Sequence, residues 1–219
     1  MARIAEDLLL LLLDNPSAQP QLDRSRLGRV LAAALILDLA YDCRVRPAMP
    51  GEPVPPGDLV ALSGPVPMDP AVRPTLALLS QAPIGPAAAI AKLRKDSEDW
   101  VIDQLLRTGQ LHQIQLSSHR LRRNTYRWPV NNPARVGQAR SALQAALFGR
   151  TRPDPVTAAI AGLLFRVEGL PAVLGLDAAA LQHAQARACE IAGGGWADGS
   201  NTAEVNLEVT AAAVLPALG

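Results

Sequence analysis

"RSRLGRVLAAALILDLAYDC", Arg24 to Cys43, is the stretch on which the fold turns. Leu27, Val30, Leu31, Ala34 and Leu35 recur at i, i+3 and i+4, so the period is helical and one face is continuously apolar. Asp23 stands just before it as an N-cap, a short carboxylate suited to accept from the free amides of a first helical turn. Asp38 falls on the same stripe and is expected at the helix's surface edge. A helix this apolar belongs in a core, and the rest of the chain is read as what packs around it.

Upstream, Ile4 to Leu13 ("IAEDLLLLLL") is apolar nearly all round and richer in leucine than in β-branched residues, which predicts a short, wholly buried helix. It fails as a signal peptide, because Glu6 and Asp7 occupy the place of the expected positive charge and no small-residue cleavage site follows. No other stretch reaches the roughly 18 apolar residues of a spanning helix. Pro16 and Pro20 end this segment. Downstream, residues 43–70 are dense in Pro and Gly and read as short edge strands or an irregular connection. Asp69–Pro70, Asn132–Pro133 and Asp154–Pro155 repeat an N-cap-then-proline signal for helix starts. "AAAIAKLRKDSEDWVIDQLLRTGQL" reads as one helix or two, stopped by Gly109, and the last third of the chain is alanine-rich helix.

The exception is Leu111 to Pro133, "LHQIQLSSHRLRRNTYRWPVNNP", where β-favouring alternation surrounds a polar knot. It predicts a β-hairpin over about 111–130 with its turn near Ser117–Arg120. The expected fold is therefore all-α: a mostly α-helical single domain over residues 1–219 with one projecting β-hairpin. Aromatics are only 3% of the chain, so its core must be aliphatic.

Charge is segregated along the sequence. From Gln104 to Pro153 there is no acid and there are nine arginines, while the whole chain carries a formal +1, which leaves −8 on the remainder. Such segregation predicts one basic face, attractive to phosphates of lipid headgroups or nucleic acid. Arg24, Arg26 and Arg29 add cations at the start of the long helix, where the dipole disfavours them. The acids Asp96, Glu98, Asp99 and Asp103 lie among Lys92, Arg94 and Lys95 and are expected to pair on a solvated face.

Catalytic patterns do not assemble. His112, His119 and His183 have no metal-ligand spacing, no phosphate loop or nucleophile elbow occurs, and "GGGW" at Gly193–Trp196 follows a helix and reads as a flexible stop. Cys43 and Cys189 are far apart and suggest a reducing compartment without a disulfide framework. The expectation is a non-enzymatic binding protein with no cofactor.

Two binding readings remain. A basic hairpin after a helix fits a winged-helix-like nucleic-acid-binding protein, although four carboxylates on that preceding helix would repel phosphate. The second reading comes from a resemblance. "IAEDLLLLLLD", "LGRVLAAALILDLAYDCRV", the helix end "DQLLRTGQL", the hairpin closing in "YRWPVNNP" and "PDPVTAAIAGLL", in that order, resemble the Golgi phosphoprotein 3 family, specifically its actinobacterial-type members, over roughly residues 3 to 217.

The resemblance implies a helical domain with a projecting hairpin. It also implies peripheral membrane binding in the manner of family members that recognise phosphatidylinositol 4-phosphate and retain glycosyltransferases. The family's headgroup positions fall here on Asp23, Ala32, Lys95 and Glu98. Lys95 keeps the charge, and Arg29 and Arg94 stand close by, so Arg29, Arg94 and Lys95 are the expected headgroup residues. Arg120, Arg122, Arg123 and Arg127 are the expected membrane-facing residues of the hairpin, with Tyr126 and Trp128 at its base either touching the membrane or clamping the hairpin to the core. The expected partners are anionic phospholipid or phosphoinositide headgroups, client membrane enzymes such as glycosyltransferases, and a second copy through the hairpin. Nucleic acid is not expected. The expected location is cytoplasmic, peripheral on the inner face of the membrane.

Overall fold

In the computed structural model, which describes residues 4–117, 125–149 and 151–219, the apolar stripe read from the sequence forms the axis of the core. Helices α1 (Ile4–Leu13) and α2 (Arg24–Tyr41) lie at its centre. Every residue of α1 is buried, and α2 is buried continuously from Val30 to Ala40. Asp23 caps α2, its carboxylate accepting from the amides of Ser25 and Arg26 at 3.0 Å each.

Asp38 corrects the sequence reading. It is not at a surface edge but only 4% exposed, and its two carboxylate oxygens accept from the amides of Ile4 at 2.8 Å and Ala5 at 3.1 Å. The first amides of any helix lack an intrahelical partner. In α1 they lie inside the protein, where water does not reach, and a carboxylate there also complements the helix dipole. An acid in the apolar stripe of α2 is thus the N-terminal capping group of a different helix.

Around this pair the chain continues with β1 (Val45–Pro47) and β2 (Leu59–Ala61), antiparallel with Val45 opposite Ala61. A 3₁₀ turn capped by Asp69 leads into α3 (Arg73–Leu79). The charged stretch forms two helices, α4 (Pro86–Leu93) and α5 (Ser97–Arg107), and Gly109 at φ 68° supplies the left-handed turn after α5. The hairpin pairs β3 (Ile114–Ser117) with β4 (Thr125–Arg127), Ile114 opposite Arg127, with an irregularity between Gln115 and Ser117. Of its predicted turn near Ser117–Arg120, Ser117 ends β3, while Ser118, His119 and Arg120 lie outside the described residues, as do Arg122 and Arg123.

Helices α6 (Pro133–Phe148), α7 (Pro155–Arg166), α8 (Leu170–Val173), α9 (Ala178–Ala192) and α10 (Thr202–Val214) complete the fold. Asn132 and Asp154 cap α6 and α7, each with the proline at the first helical position. α1 packs against α2, α6 and α7, while α10 packs against α2. Among the described residues the fold is mostly helical with two small antiparallel strand pairs.

Two further expectations change in three dimensions. The "GGGW" stretch is not a loose stop: the amides of Gly195, Trp196 and Ala197 all donate to the Glu208 carboxylate of α10. Nor are all the arginines after Gln104 left without partners among the described residues. Arg135 reaches Asp7 at 2.7 Å and Glu6 at 2.8 Å, and Arg140 pairs with Asp14. Arg152 donates to the carbonyls of Trp196 and Ala197.

Replacing Asp38 by Ala strands two buried amides, each costing about 1–3 kcal/mol, so Asp38→Ala should lose about 2–6 kcal/mol of stability. Urea unfolding measures this. A loss below about 1 kcal/mol would show that the start of α1 finds other acceptors.

Candidate functional site

Gly28 positions the most prominent cleft. A Cβ built at this residue would lie 2.2 Å from the backbone oxygen of Arg94, so only glycine lets the α4–α5 turn rest directly on α2. Ser97, fully buried, fastens the same contact by donating its hydroxyl to the Gly28 carbonyl at 2.9 Å. The turn therefore brings Arg94, Lys95 and Asp96 to the same cavity as Arg24 and Ser25 of α2 and Glu98 and Asp99 of the first turn of α5. These residues enclose a cavity of ≈ 600 Å³.

A second cavity of ≈ 410 Å³ shares Arg24, Glu98 and Asp99 with the first and runs on to Tyr126 and Trp128 of the hairpin, so the two form one cleft. The hairpin base is fixed there by the α1–α2 connection. The Trp128 amide donates to the Ala18 carbonyl at 2.8 Å, and the Gln19 side chain donates to the Tyr126 carbonyl at 3.2 Å. The Tyr126 and Trp128 rings lie 5.6 Å apart, and Trp128 packs against the core. Trp128 thus joins the hairpin to the core, and both aromatics line the cleft. Below them, a bridge between Leu111 and Val130 and the bond from the Asn131 amide to Gln110 close the neck of the hairpin.

Arg94 and Lys95 thus stand at the cleft, as does Glu98. Arg29 does not. Its guanidinium donates to the backbone carbonyls of Leu218 and Gly219, and Arg24 takes the place in the cleft that the sequence suggested for it. Ala32 is completely buried, out of reach of any ligand, and Asp23 is occupied in capping α2 and in pairing with Arg26 at 3.2 Å. Arg127 is exposed on β4.

The pairing expected between Lys92, Arg94 or Lys95 and the acids around α5 is not formed. Among the described residues none of these cations lies within 4.0 Å of a carboxylate. The cavity beside the α4–α5 turn consequently holds charges of both signs that close into no ion pair with one another, Arg24, Arg94 and Lys95 together with Asp96, Glu98 and Asp99. Burial pushes the Glu98 carboxyl above the usual range, Asp99 pushes it further, and Arg24 pulls it partly back.

Sequence reasoning missed Gly28 and Ser97, and it placed the aromatics without their cleft. A signal for Gly28 existed: glycine inside an apolar helix costs about 1 kcal/mol relative to alanine, so its presence marks a close backbone approach.

With the cleft and hairpin in place, the comparison with known families decides the relationship: the model of the family described as Golgi phosphoprotein 3 (GPP34) matches residues 4–207. The chain belongs to the Golgi phosphoprotein 3 family. No curated protein sequence matches it significantly. The Golgi phosphoprotein 3 match runs from the first residue of α1 into α10 and so includes every element that builds the cleft. No helix among the described residues is long and apolar enough to cross a membrane.

Two substitutions probe this construction. Gly28→Ala forces a methyl group onto a backbone oxygen and should cost about 1–3 kcal/mol, measured by urea unfolding; an unchanged midpoint would show that the α4–α5 turn is free to move off α2. Glu98→Gln should raise the melting temperature at pH 7, because the folded state holds a carboxylate whose ionisation burial opposes. The advantage should shrink as pH falls through the raised pKa of Glu98 and vanish below the ordinary glutamate range, where the wild-type carboxyl is protonated in both states. A gain independent of pH would overturn this account.

Proposed function

We propose that this protein is a peripheral membrane-binding, adaptor-type member of its family that docks on anionic lipid surfaces. The observation that carries the reading is the convergence of Arg24, Arg94 and Lys95, unpaired with acids among the described residues, on the cleft lined by the base of the arginine-rich hairpin. Each cation held near an anionic bilayer contributes on the order of 1 kcal/mol, and a cluster anchored on a rigid fold presents several at once. Membership in a family of non-enzymatic lipid-binding adaptors supports the same reading, as do the polar residues of the hairpin tip, which suit contact with headgroups better than deep insertion. The associated expectations are a cytoplasmic-side location, client membrane enzymes as partners and self-association through the hairpin. Duplex binding is disfavoured, because α5, the helix before the hairpin, carries Glu98, Asp99 and Asp103.

Sedimentation with phosphatidylglycerol vesicles of graded anionic content, at two salt concentrations, tests the reading. Binding should rise with anionic content and fall with salt. Reversing Arg120, Arg122 and Arg123 to Glu should weaken it by about a hundredfold or more, several cations at about 1 kcal/mol each being set against 1.4 kcal/mol per tenfold. Absence of binding to every anionic vesicle at low salt sinks the proposal. Full binding by the folded triple variant would remove the hairpin from the membrane face.

A further inference from the structure

We infer that the loop over residues 62–69, between β2 and the 3₁₀ turn before α3, is a membrane-inserting element that seats Val66 and Met68 among the acyl chains of an anionic bilayer, in addition to the electrostatic contact of the hairpin. This deepens the membrane reading and rests on it.

Two arginines hold the loop by its backbone. Arg44, three residues beyond the end of α2, donates from Nε and Nη2 to the Leu62 carbonyl at 3.2 and 3.1 Å and from Nη1 to the Pro65 carbonyl. Arg73, the first residue of α3, donates from Nε to the Pro67 carbonyl at 3.0 Å and from Nη2 to the Met68 carbonyl at 3.4 Å. Gly64 lets the first guanidinium lie on the chain, since a Cβ there would stand 3.1 Å from Arg44 Nε. Pro67 and Asp69 are buried and anchor the segment, the Asp69 carboxylate accepting from the Ala71 amide at 2.9 Å. Val66 and Met68 face outward, 73% and 87% exposed, more than any other large apolar side chain among the described residues.

The backbone beneath these two side chains is what fits them to lipid. Acyl chains offer no hydrogen-bond partners, so every unsatisfied backbone group carried among them is penalised. From Pro65 to Met68, three of the four carbonyls already accept from Arg44 or Arg73, and two of the four residues are prolines with no N–H to satisfy. The tip enters a bilayer with few polar groups left to desolvate.

The charge below the tip points the same way. Neither Arg44 nor Arg73 lies within 4.0 Å of a carboxylate among the described residues. Apolar side chains projecting beyond two cations match the order of an anionic leaflet met from water, phosphates first and acyl chains beneath. An apolar groove on a partner protein would bury Val66 and Met68 equally well but gives the cations no role.

Sedimentation with phosphatidylglycerol vesicles separates insertion from attraction, because sodium chloride screens the charges and leaves apolar burial in place. The parent protein should keep a salt-resistant part of its binding. The double variant Val66→Ser, Met68→Ser should bind about tenfold or more weakly and lose that part. Both positions are exposed, and circular dichroism verifies that the variant is folded. Depth is read with Met68→Trp on vesicles whose acyl chains are brominated: the emission it adds to that of the three native tryptophans should be quenched.

Unquenched emission from vesicle-bound Met68→Trp would overturn the insertion and leave the membrane reading standing, since the protein is then bound without its loop. Full salt-resistant binding by the folded serine variant would overturn it as well. A parent protein that binds none of these vesicles at low salt removes the membrane reading itself, and the insertion with it.

Discussion

The Asp38 carboxylate, accepting the first two described amides of α1, is the constraint on which the rest of this structure depends. A helix can be wholly buried only if its terminal amides find acceptors inside the protein. Asp38 provides them from the middle of α2, so the two central helices are joined by charge-assisted hydrogen bonds as well as by leucine packing. The outer elements take their positions from this pair. The turn after α1 offers the Ala18 carbonyl and the Gln19 side chain to β4, which brings the hairpin base against α5. The start of α2 offers Gly28 to the α4–α5 turn. The cleft lies where those two consequences meet.

A second polar contact fixes the other side of α1. Arg135 of α6 binds both Glu6 and Asp7, whose side chains are each only 9% exposed. Burial pushes the Asp7 carboxyl up while Arg135 pulls it back, so the cluster balances desolvation against attraction instead of adding a large net stability. Its effect is directional: a helix apolar nearly all round has no packing preference for one rotation about its axis, and two adjacent acids reaching one guanidinium supply that preference.

The use of charge differs between core and cleft. Glu6, Asp7 and Asp14 are matched by Arg135 and Arg140 of α6, which engages two of the nine arginines of the acid-free stretch. At the cleft, like and unlike charges stand near one another without closing into pairs, because Arg94 and Lys95 sit on a turn held by Gly28 and Ser97 while Glu98 and Asp99 belong to the helix that follows. Opposite charges that remain open to a ligand are a binding resource, whereas the closed ones around Arg135 are structural.

The helices, their caps and their stops were legible in the sequence, because an i, i+3, i+4 apolar period, an Asp or Asn followed by Pro, and a glycine after the last turn are local chemistry that acts within one or two turns. The hairpin was legible for the same reason, through alternation and composition, and the order of these parts sufficed for the family resemblance. Pairing across the fold was not. Asp38 looks like a surface acid on a helical wheel, since periodicity describes which face a residue occupies and not which helix end approaches that face. Arg29 and Arg24 lie on the same helix start and differ in fate only because the C-terminal backbone reaches one of them and the α4–α5 turn reaches the other. The nine arginines read as a single block because charge is counted along the chain, whereas Coulomb attraction acts through space and brings Glu6, Asp7 and Asp14 to Arg135 and Arg140. Local sequence determined the elements; which charged groups are consumed in holding them together, and which are left to meet a ligand, was decided only when the helices packed.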